Sequence, residues 1–172
     1  MRHLGSVPFA EVLARFRSEH SVDDPHEWNT NSDGEAHLVC AERLTNHWDR
    51  VLLGPDEVSR VVLPWHESEG GDLKLVPKTG LTVAEATEVL RAVCDRYPTK
   101  SPVCWGKIVR MNAPPSTPLY LSRVVIDMSD YEALVVSGGG LVHLDGLHRM
   151  VSWQLNGVLS SGCAVEAYVA GL

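Results

Sequence analysis

The sequence has no C-x-x-C pair and no cysteine–histidine cluster at zinc-finger spacing, which argues against a structural zinc site. Its four cysteines, Cys40, Cys94, Cys104 and Cys163, are scattered along the chain. The N-terminal stretch "MRHLGSVPFAEVLARFRSEH" carries charges inside its apolar pattern and lacks the apolar core of an export signal, so a disulfide framework is not expected either. No apolar run approaches the about 20 residues that cross a bilayer. Excess positive charge is also missing. With 15 Lys and Arg against 22 Asp and Glu, the formal net charge of -7 argues against a broad nucleic-acid footprint and against DNA as a partner. The phosphate-loop pattern G-x-x-x-x-G-K-[ST] is absent, and Gly138-Gly139-Gly140 precedes a strand pattern instead of a helix, so it reads as a flexible turn. These absences leave a soluble, cytoplasmic protein as the expectation. At 172 residues and 44% hydrophobic content the chain suffices for a single domain, 1–172, with its own core.

Periodicity predicts the elements. Residues 7–19 read as a helix, with Phe9, Val12, Leu13 and Phe16 on one face. A polar loop from Glu19 to Gly34 follows, long enough to be mobile or functional, with Trp28 as its one large apolar residue. A second helix is expected over 34–52, burying Leu38, Leu44, Trp48 and Leu52. Strands are expected at 58–65, ended by Pro64, and at 73–76. Thr82 and Glu85 form a capping box that opens a helix through about Tyr97, stopped by Pro98, with Val83, Ala86, Val89, Leu90 and Val93 inward. The stretch "VCWGKIVRM" (103–111) reads as a strand, "LYLSRVVI" (119–126) as another, and 130–136 as a short helix capped by Ser129. "LVHLD" (141–145) predicts a buried strand, 147–157 a helix ended by Gly157, and "AVEAYV" (164–169) a closing strand. The fold class is α+β (mixed α/β), with a helix-rich N-terminal part, 1–100, and a core over 101–172.

The chemistry concentrates in Asp145-Gly146-Leu147-His148-Arg149. A strand delivers Asp145, Gly146 permits a tight turn, and the helix that follows presents unsatisfied N–H groups and the positive end of its dipole. That is a natural seat for phosphate. Arg149 can add a bidentate fork and His148 can donate or move a proton. Taken singly, Asp145 is an ordinary cap and His148 and Arg149 ordinary solvated residues. Two basic groups in one first turn nevertheless run against the dipole unless an anion compensates. The pattern Leu147, Met150, Val151, Leu155, Val158 is core.

With its flanks "LVHL" and "MVSWQLNG" and the strand "VEAYV", the pentapeptide resembles the DGxHR signature of the ParB/sulfiredoxin-like superfamily. The resemblance covers roughly the last 35 residues and implies a strand–turn–helix–strand core binding nucleotide phosphates through Gly146, Leu147, His148 and Arg149. Members include partitioning CTPases, sulfiredoxin and kinases of free serine. Sulfiredoxin places its catalytic cysteine where Leu147 stands, so sulfinic-acid reduction is not implied, and the DNA-binding helices of the partitioning proteins have no counterpart. The expectation is a nucleotide-dependent phosphotransferase, kinase-like, with ATP or ADP and with magnesium carried on the phosphates. The acceptor would be a small hydroxylated metabolite, with Asp145 and His148 catalytic. The alternatives are a non-catalytic nucleotide-binding or protein-interaction module and, more weakly, a nuclease. His143, sharing a strand face with Asp145, is expected to support the site by hydrogen bonding instead of ligating a metal. Glu67 and Glu69 beside Trp65-His66, with Asp72 and Asp127, are candidates for the base, although a loop with this many acids is ordinarily just solvated. Lys107 and Arg110 are candidates for further phosphate contacts.

Overall fold

The computed structural model describes residues 1–20, 31–66, 73–136, 139–159 and 162–172. The expected base candidates Glu67, Glu69 and Asp72, the loop residue Trp28, and Gly138 lie outside them. Among the described residues the elements run β1 (Arg2–Ser6), α1 (Phe9–Glu19), α2 (Asn31–Thr45), β2 (Trp48–Leu53), α3 (Pro55–Ser59), β3 (Val62–Leu63), β4 (Leu81–Thr82), α4 (Val83–Ala92), α5 (Tyr97–Lys100), α6 (Pro102–Arg110), β5 (Leu119–Ser122), β6 (Val142–Asp145), α7 (Leu147–Asn156) and β7 (Val165–Ala170). A single 3₁₀ turn, Ser129–Tyr131, stands where a helix over 130–136 was expected. The fold is α+β.

All seven strands join one mixed sheet in the order β1-β2-β7-β5-β6-β3-β4. The pairs β3–β6 and β5–β7 are parallel and the others antiparallel. Strands from residues 1–100 thus pair directly with strands from 101–172, so the two parts share one sheet. Its two faces bury separate apolar clusters. On one, Leu119 and Leu121 of β5 pack with Val51, Leu53, Ala167 and Val169 beneath Leu90, Ile108 and Met150 of α4, α6 and α7. On the other, Tyr120 packs with Trp48 and Tyr168 beneath Phe16 and Leu38 of α1 and α2. The strand period of two sorts alternate residues of β5 to opposite helical layers.

Several elements depart from the sequence expectation for identifiable reasons. The helix expected over 34–52 stops at Thr45. Asn46 takes a positive φ of 49°, a conformation asparagine tolerates, and its N–H bonds Glu42 O at 2.8 Å. Trp48 and Leu52 therefore lie in β2, where the Trp48 indole N–H donates to Glu42 Oε2 at 2.9 Å. Leu44 is exposed, as is Val89 of α4. The strand expected over 58–65 begins as α3. Pro55 opens that helix, Glu57 Oε2 accepts from Gly54 N at 2.8 Å, and only Val62–Leu63 are strand. The expected strand at 73–76 reduces to one bridge between His66 and Val76.

The capping box at Thr82 and Glu85 forms as expected, but α4 ends at Ala92, and Pro98 sits in the first turn of α5 instead of ending a long helix. Residues 103–111 are helical, not extended. Pro102 starts α6, and Cys104, Lys107 and Ile108 recur at helical spacing toward the core. There Ser152 Oγ of α7 donates to Ile108 O at 2.6 Å, so tertiary packing overrides the β-branched composition. β5 stops at Ser122, leaving Val124 and Val125 exposed. The C-terminal run β6–α7–β7 matches its expected bounds closely, with Gly157 closing α7 at a φ of 63°.

Candidate functional site

The turn from β6 into α7 is tight. Gly146 holds a φ of 107°, and a Cβ there would fall 2.6 Å from Leu119 Cδ2 and 3.1 Å from Arg149 Nη2. Glycine is thus required by both the backbone conformation and the close approach of two side chains. The first helical N–H, that of Leu147, donates to His143 Nε2 at 3.0 Å. His143 is therefore a cap for this helix. With Nε2 accepting, the ring proton lies on Nδ1, which is buried and meets no acceptor. Burial holds His143 neutral, its pKa pushed down to about 3, although the Asp145 carboxylate pulls the other way.

Asp145 and Arg149, one helical turn apart, form an ion pair, Nη2 to Oδ2 at 2.6 Å. Arg149 Nη1 donates to Pro118 O at 2.9 Å and to the Thr117 hydroxyl. Among the described residues three of its five guanidinium hydrogens are therefore engaged, leaving the Nε–H and one Nη2–H. Arg149 is mainly a clamp between the turn and the segment leading into β5. Burial would raise the Asp145 pKa, but Arg149, His20 and His143 together hold it below the usual aspartate value.

Around this pair gather residues that the sequence did not single out. His20 Nε2 is 3.6 Å from Asp145 Oδ2, and the His20 ring stacks on Phe16 at a centroid distance of 4.0 Å. Gly34 of α2 lets this corner close, since a Cβ there would meet Phe16 Cζ at 2.8 Å. Tyr120, directly opposite Asp145 in the β5–β6 register, donates its hydroxyl to Glu19 Oε2 at 3.1 Å. The Glu19 carboxyl is 7% exposed and pairs with Arg15. Its burial raises the pKa above the ordinary glutamate value, against the opposing pull of Tyr120, Arg15 and Arg149. Burial, then Glu19, pushes the Tyr120 pKa up. Glu19, His20, Tyr120, Asp145 and Arg149 thus form one polar group at the carboxyl end of β6. Glu19 and His20 close α1, and no local motif marks them, because their partners lie 101 residues or more along the chain.

His148 does not join that group. Its ring meets His66 edge-to-face at 5.0 Å, and its Nε2 is buried without a hydrogen-bond partner among the described residues. His66 Nε2 lies 3.3 Å from Cys104 Sγ. One ligand atom from each of His66, Cys104 and His148 lies within 4.8 Å of the others. Burial, then the charge of Lys107, lowers the His66 pKa to about 4. His148 is lowered well below its usual value, by burial first and then by His66, Lys107 and His143. Both rings are neutral at pH 7. Lys107, expected at the phosphates, is buried in α6 facing this pair of histidines. Asp127 follows β5 beyond Ser122, the strand end away from Asp145, and is exposed beside a cavity of about 490 Å³ lined by Leu44, Ile126 and Tyr131. The larger cavity, about 670 Å³, opens at the opposite end of β6 between Arg60, Arg123 and Gly139-Gly140.

The motif therefore divides. Asp145 and Arg149 face the α1 side of the turn, and His148 faces the first turn of α6. Among the described residues no helix is long and apolar enough to cross a membrane. Neither a curated protein nor a solved structure matches the chain. A family model covers residues 1–172 in full, and the chain belongs to that family, a family of unknown function (DUF6309).

Proposed function

We propose that the chain is a nucleotide-dependent phosphotransferase, with ATP or ADP donating a phosphoryl group to a hydroxyl of a small metabolite at the β6–α7 turn. The observation that carries this reading is the Glu19 carboxyl. It is buried, its pKa is raised, and it is bonded to Tyr120 beside the Asp145–Arg149 pair. A carboxylate of that kind is a stronger base near neutral pH than an exposed one. It takes over the role expected of Glu67, Glu69 or Asp127. Glu19 accepts the proton of the acceptor hydroxyl as its oxygen bonds the terminal phosphorus, and the nucleotide leaves one phosphate shorter. The two remaining Arg149 hydrogens and His20 hold the phosphate. Bound magnesium would neutralise phosphate charge, and Asp145 Oδ1, which Arg149 does not engage, is the oxygen suited to it. The similarity to the ParB/sulfiredoxin-like superfamily supports the phosphate seat. The four cysteines, all free thiols, suit a cytoplasmic setting.

One observation favours a second reading, a non-catalytic nucleotide-binding or interaction module: Arg149 spends three hydrogens on Asp145, Thr117 and Pro118. Calorimetry with ATP, ADP and CTP, with and without magnesium, separates the two, followed by phosphoryl transfer to a panel of hydroxylated metabolites. Glu19→Gln should bind nucleotide as wild type does and lose about 100-fold in transfer. Arg149→Lys should weaken binding, because an ammonium cannot hold three acceptors and a phosphate at once. Binding without turnover, identical in wild type and Glu19→Gln, selects the module. Failure of wild type to bind any nucleotide ends the phosphotransferase reading and leaves only the interaction module.

A further inference from the structure

The cluster of His66, Cys104 and His148 plays no part in the phosphoryl-transfer reading, and its chemistry is different. We propose that these three residues form a binding site for a single zinc ion, coordinated by two imidazole nitrogens and the Cys104 thiolate.

Two of the ligands sit in the first turns of helices and the third in a bridged segment after β3. His66 follows β3. Its backbone N–H bonds Val76 O at 3.3 Å, and the preceding Trp65 N–H bonds Asp130 O at 3.1 Å. The Trp65 ring carries the Lys74 and Lys78 ammonium groups at 5.6 and 5.3 Å. Cys104 is in the first turn of α6, just after Pro102. His148 is in the first turn of α7, whose opening N–H is capped by His143. Rigid elements of this kind set ligand geometry more closely than loops do.

The distances suit zinc. With Zn–N near 2.0 Å and Zn–S near 2.3 Å, a tetrahedron puts nitrogen and sulfur about 3.5 Å apart. The His66 Nε2 to Cys104 Sγ separation is 3.3 Å. The three ligand atoms lie within 4.8 Å of one another, so the set closes by up to about 1.5 Å to complete a tetrahedral face. The buried, unpartnered His148 Nε2 gains a partner when a metal is present. A donor set of two imidazoles and one thiolate is borderline-soft, which selects zinc over magnesium or calcium. Cys104 itself is 1% exposed, which disfavours a role as a free nucleophile.

Three protein ligands is also the number at which zinc sites keep one position for water or a substrate atom. Lys107 lies close enough to depress both imidazole pKa values. Its charge, added to that of zinc and offset by one thiolate, favours an anion at that fourth position. Binding displaces the thiol proton of Cys104 to solvent, so uptake of one zinc ion releases one proton.

The test uses the full chain after chelation and desalting, titrated with Zn²⁺ by calorimetry and with Co²⁺ by absorption spectroscopy. The expected result is one equivalent bound, with a thiolate-to-cobalt charge-transfer band and the strong visible bands of a tetrahedral site. Cys104→Ser should abolish the charge-transfer band. Both Cys104→Ser and His66→Gln should weaken zinc binding by at least about 100-fold. Metal-free melting curves of the variants matching wild type would show that lost binding is not lost folding, and a variant that misfolds is replaced by His148→Gln under the same criterion. No stoichiometric binding by wild type, or cobalt bound without a thiolate band, overturns the proposal. So does affinity unchanged in folded variants. The nucleotide experiments do not touch Cys104 or His66, so the two readings fail independently.

Discussion

Replacing Gly146 by alanine tests whether the turn is built as described. Two costs add at this position. A φ of 107° is hostile to any residue with a Cβ, at about 1–2 kcal/mol. The new methyl would also lie 2.6 Å from Leu119 Cδ2, and Leu119 is fully buried, so it cannot swing aside without disturbing the core. Overpacking of that kind costs about 1–3 kcal/mol. The methyl would sit 3.1 Å from Arg149 Nη2 as well, pressing on the clamp to Asp145. The expected loss is therefore about 2–5 kcal/mol, a large share of the stability of an ordinary domain. Gly157→Ala is the matched control. That glycine also has a positive φ, 63°, but a Cβ there meets nothing within 4 Å, so only the conformational part, about 1 kcal/mol, is lost. Urea unfolding followed by tryptophan fluorescence and by far-ultraviolet circular dichroism measures both variants. Equal losses in the two, or a loss under about 1 kcal/mol in Gly146→Ala, would refute the close packing of Leu119 and Arg149 over the turn.

Two further perturbations follow from other parts of the fold. Thr82→Ala removes the hydroxyl that accepts from Glu85 N at 3.2 Å, and should cost about 1 kcal/mol in the same urea assay. Buried Asp49 accepts from Ser6 at 2.9 Å and meets His3 and His47 at 2.6 and 2.9 Å. Burial works to raise its pKa, but these partners outweigh it and hold the pKa below the usual aspartate value. The stability it contributes is full above the unfolded-state pKa, about 3.9, and is lost as pH falls through the lower folded value. Asp49→Asn should accordingly flatten the stability profile below about pH 4, and an unchanged acid limb would discount the network.

How much of this was legible depended on whether a segment's own pattern agreed with its surroundings. The run from Val142 to Ala170 was readable because alternation, a positive-φ glycine and helical spacing all pointed to the same elements. The capping box at Thr82 and Glu85 was readable for a similar reason, since it is complete within four residues. Residues 103–111 were not. Val103, Ile108 and Val109 favour a strand locally, and what makes the segment helical is the seat for Ile108 and Cys104 against α7. β1 went unseen because a single large apolar residue, Leu4, marks it, and its pairing with β2 supplies the order instead. The break at Asn46 turned on one residue's tolerance for positive φ, which periodicity averages away.

The site illustrates the same limit in another form. A pentapeptide can show which chemistry is present but not which way each side chain faces. Asp145 and Arg149, four apart across the strand–helix junction, meet each other and reach Glu19, His20 and Tyr120. His148, one residue before Arg149, lies about 100° around the helix from it. That rotation carries it away from the acids and toward His66 and Cys104. Cys104 lies 38 residues after His66 and 44 before His148, distances at which no ligand spacing is recognisable in a sequence. His143 lies between the two groups, capping the helix that serves both, with the Asp145 carboxylate on one side and the neutral His66 ring on the other. The motif is therefore better understood as a wall shared by two polar sites than as a single anion grip. Substitutions at Arg149 of α7 and at Cys104 of α6 should then produce separable defects, even though the two helices pack on each other.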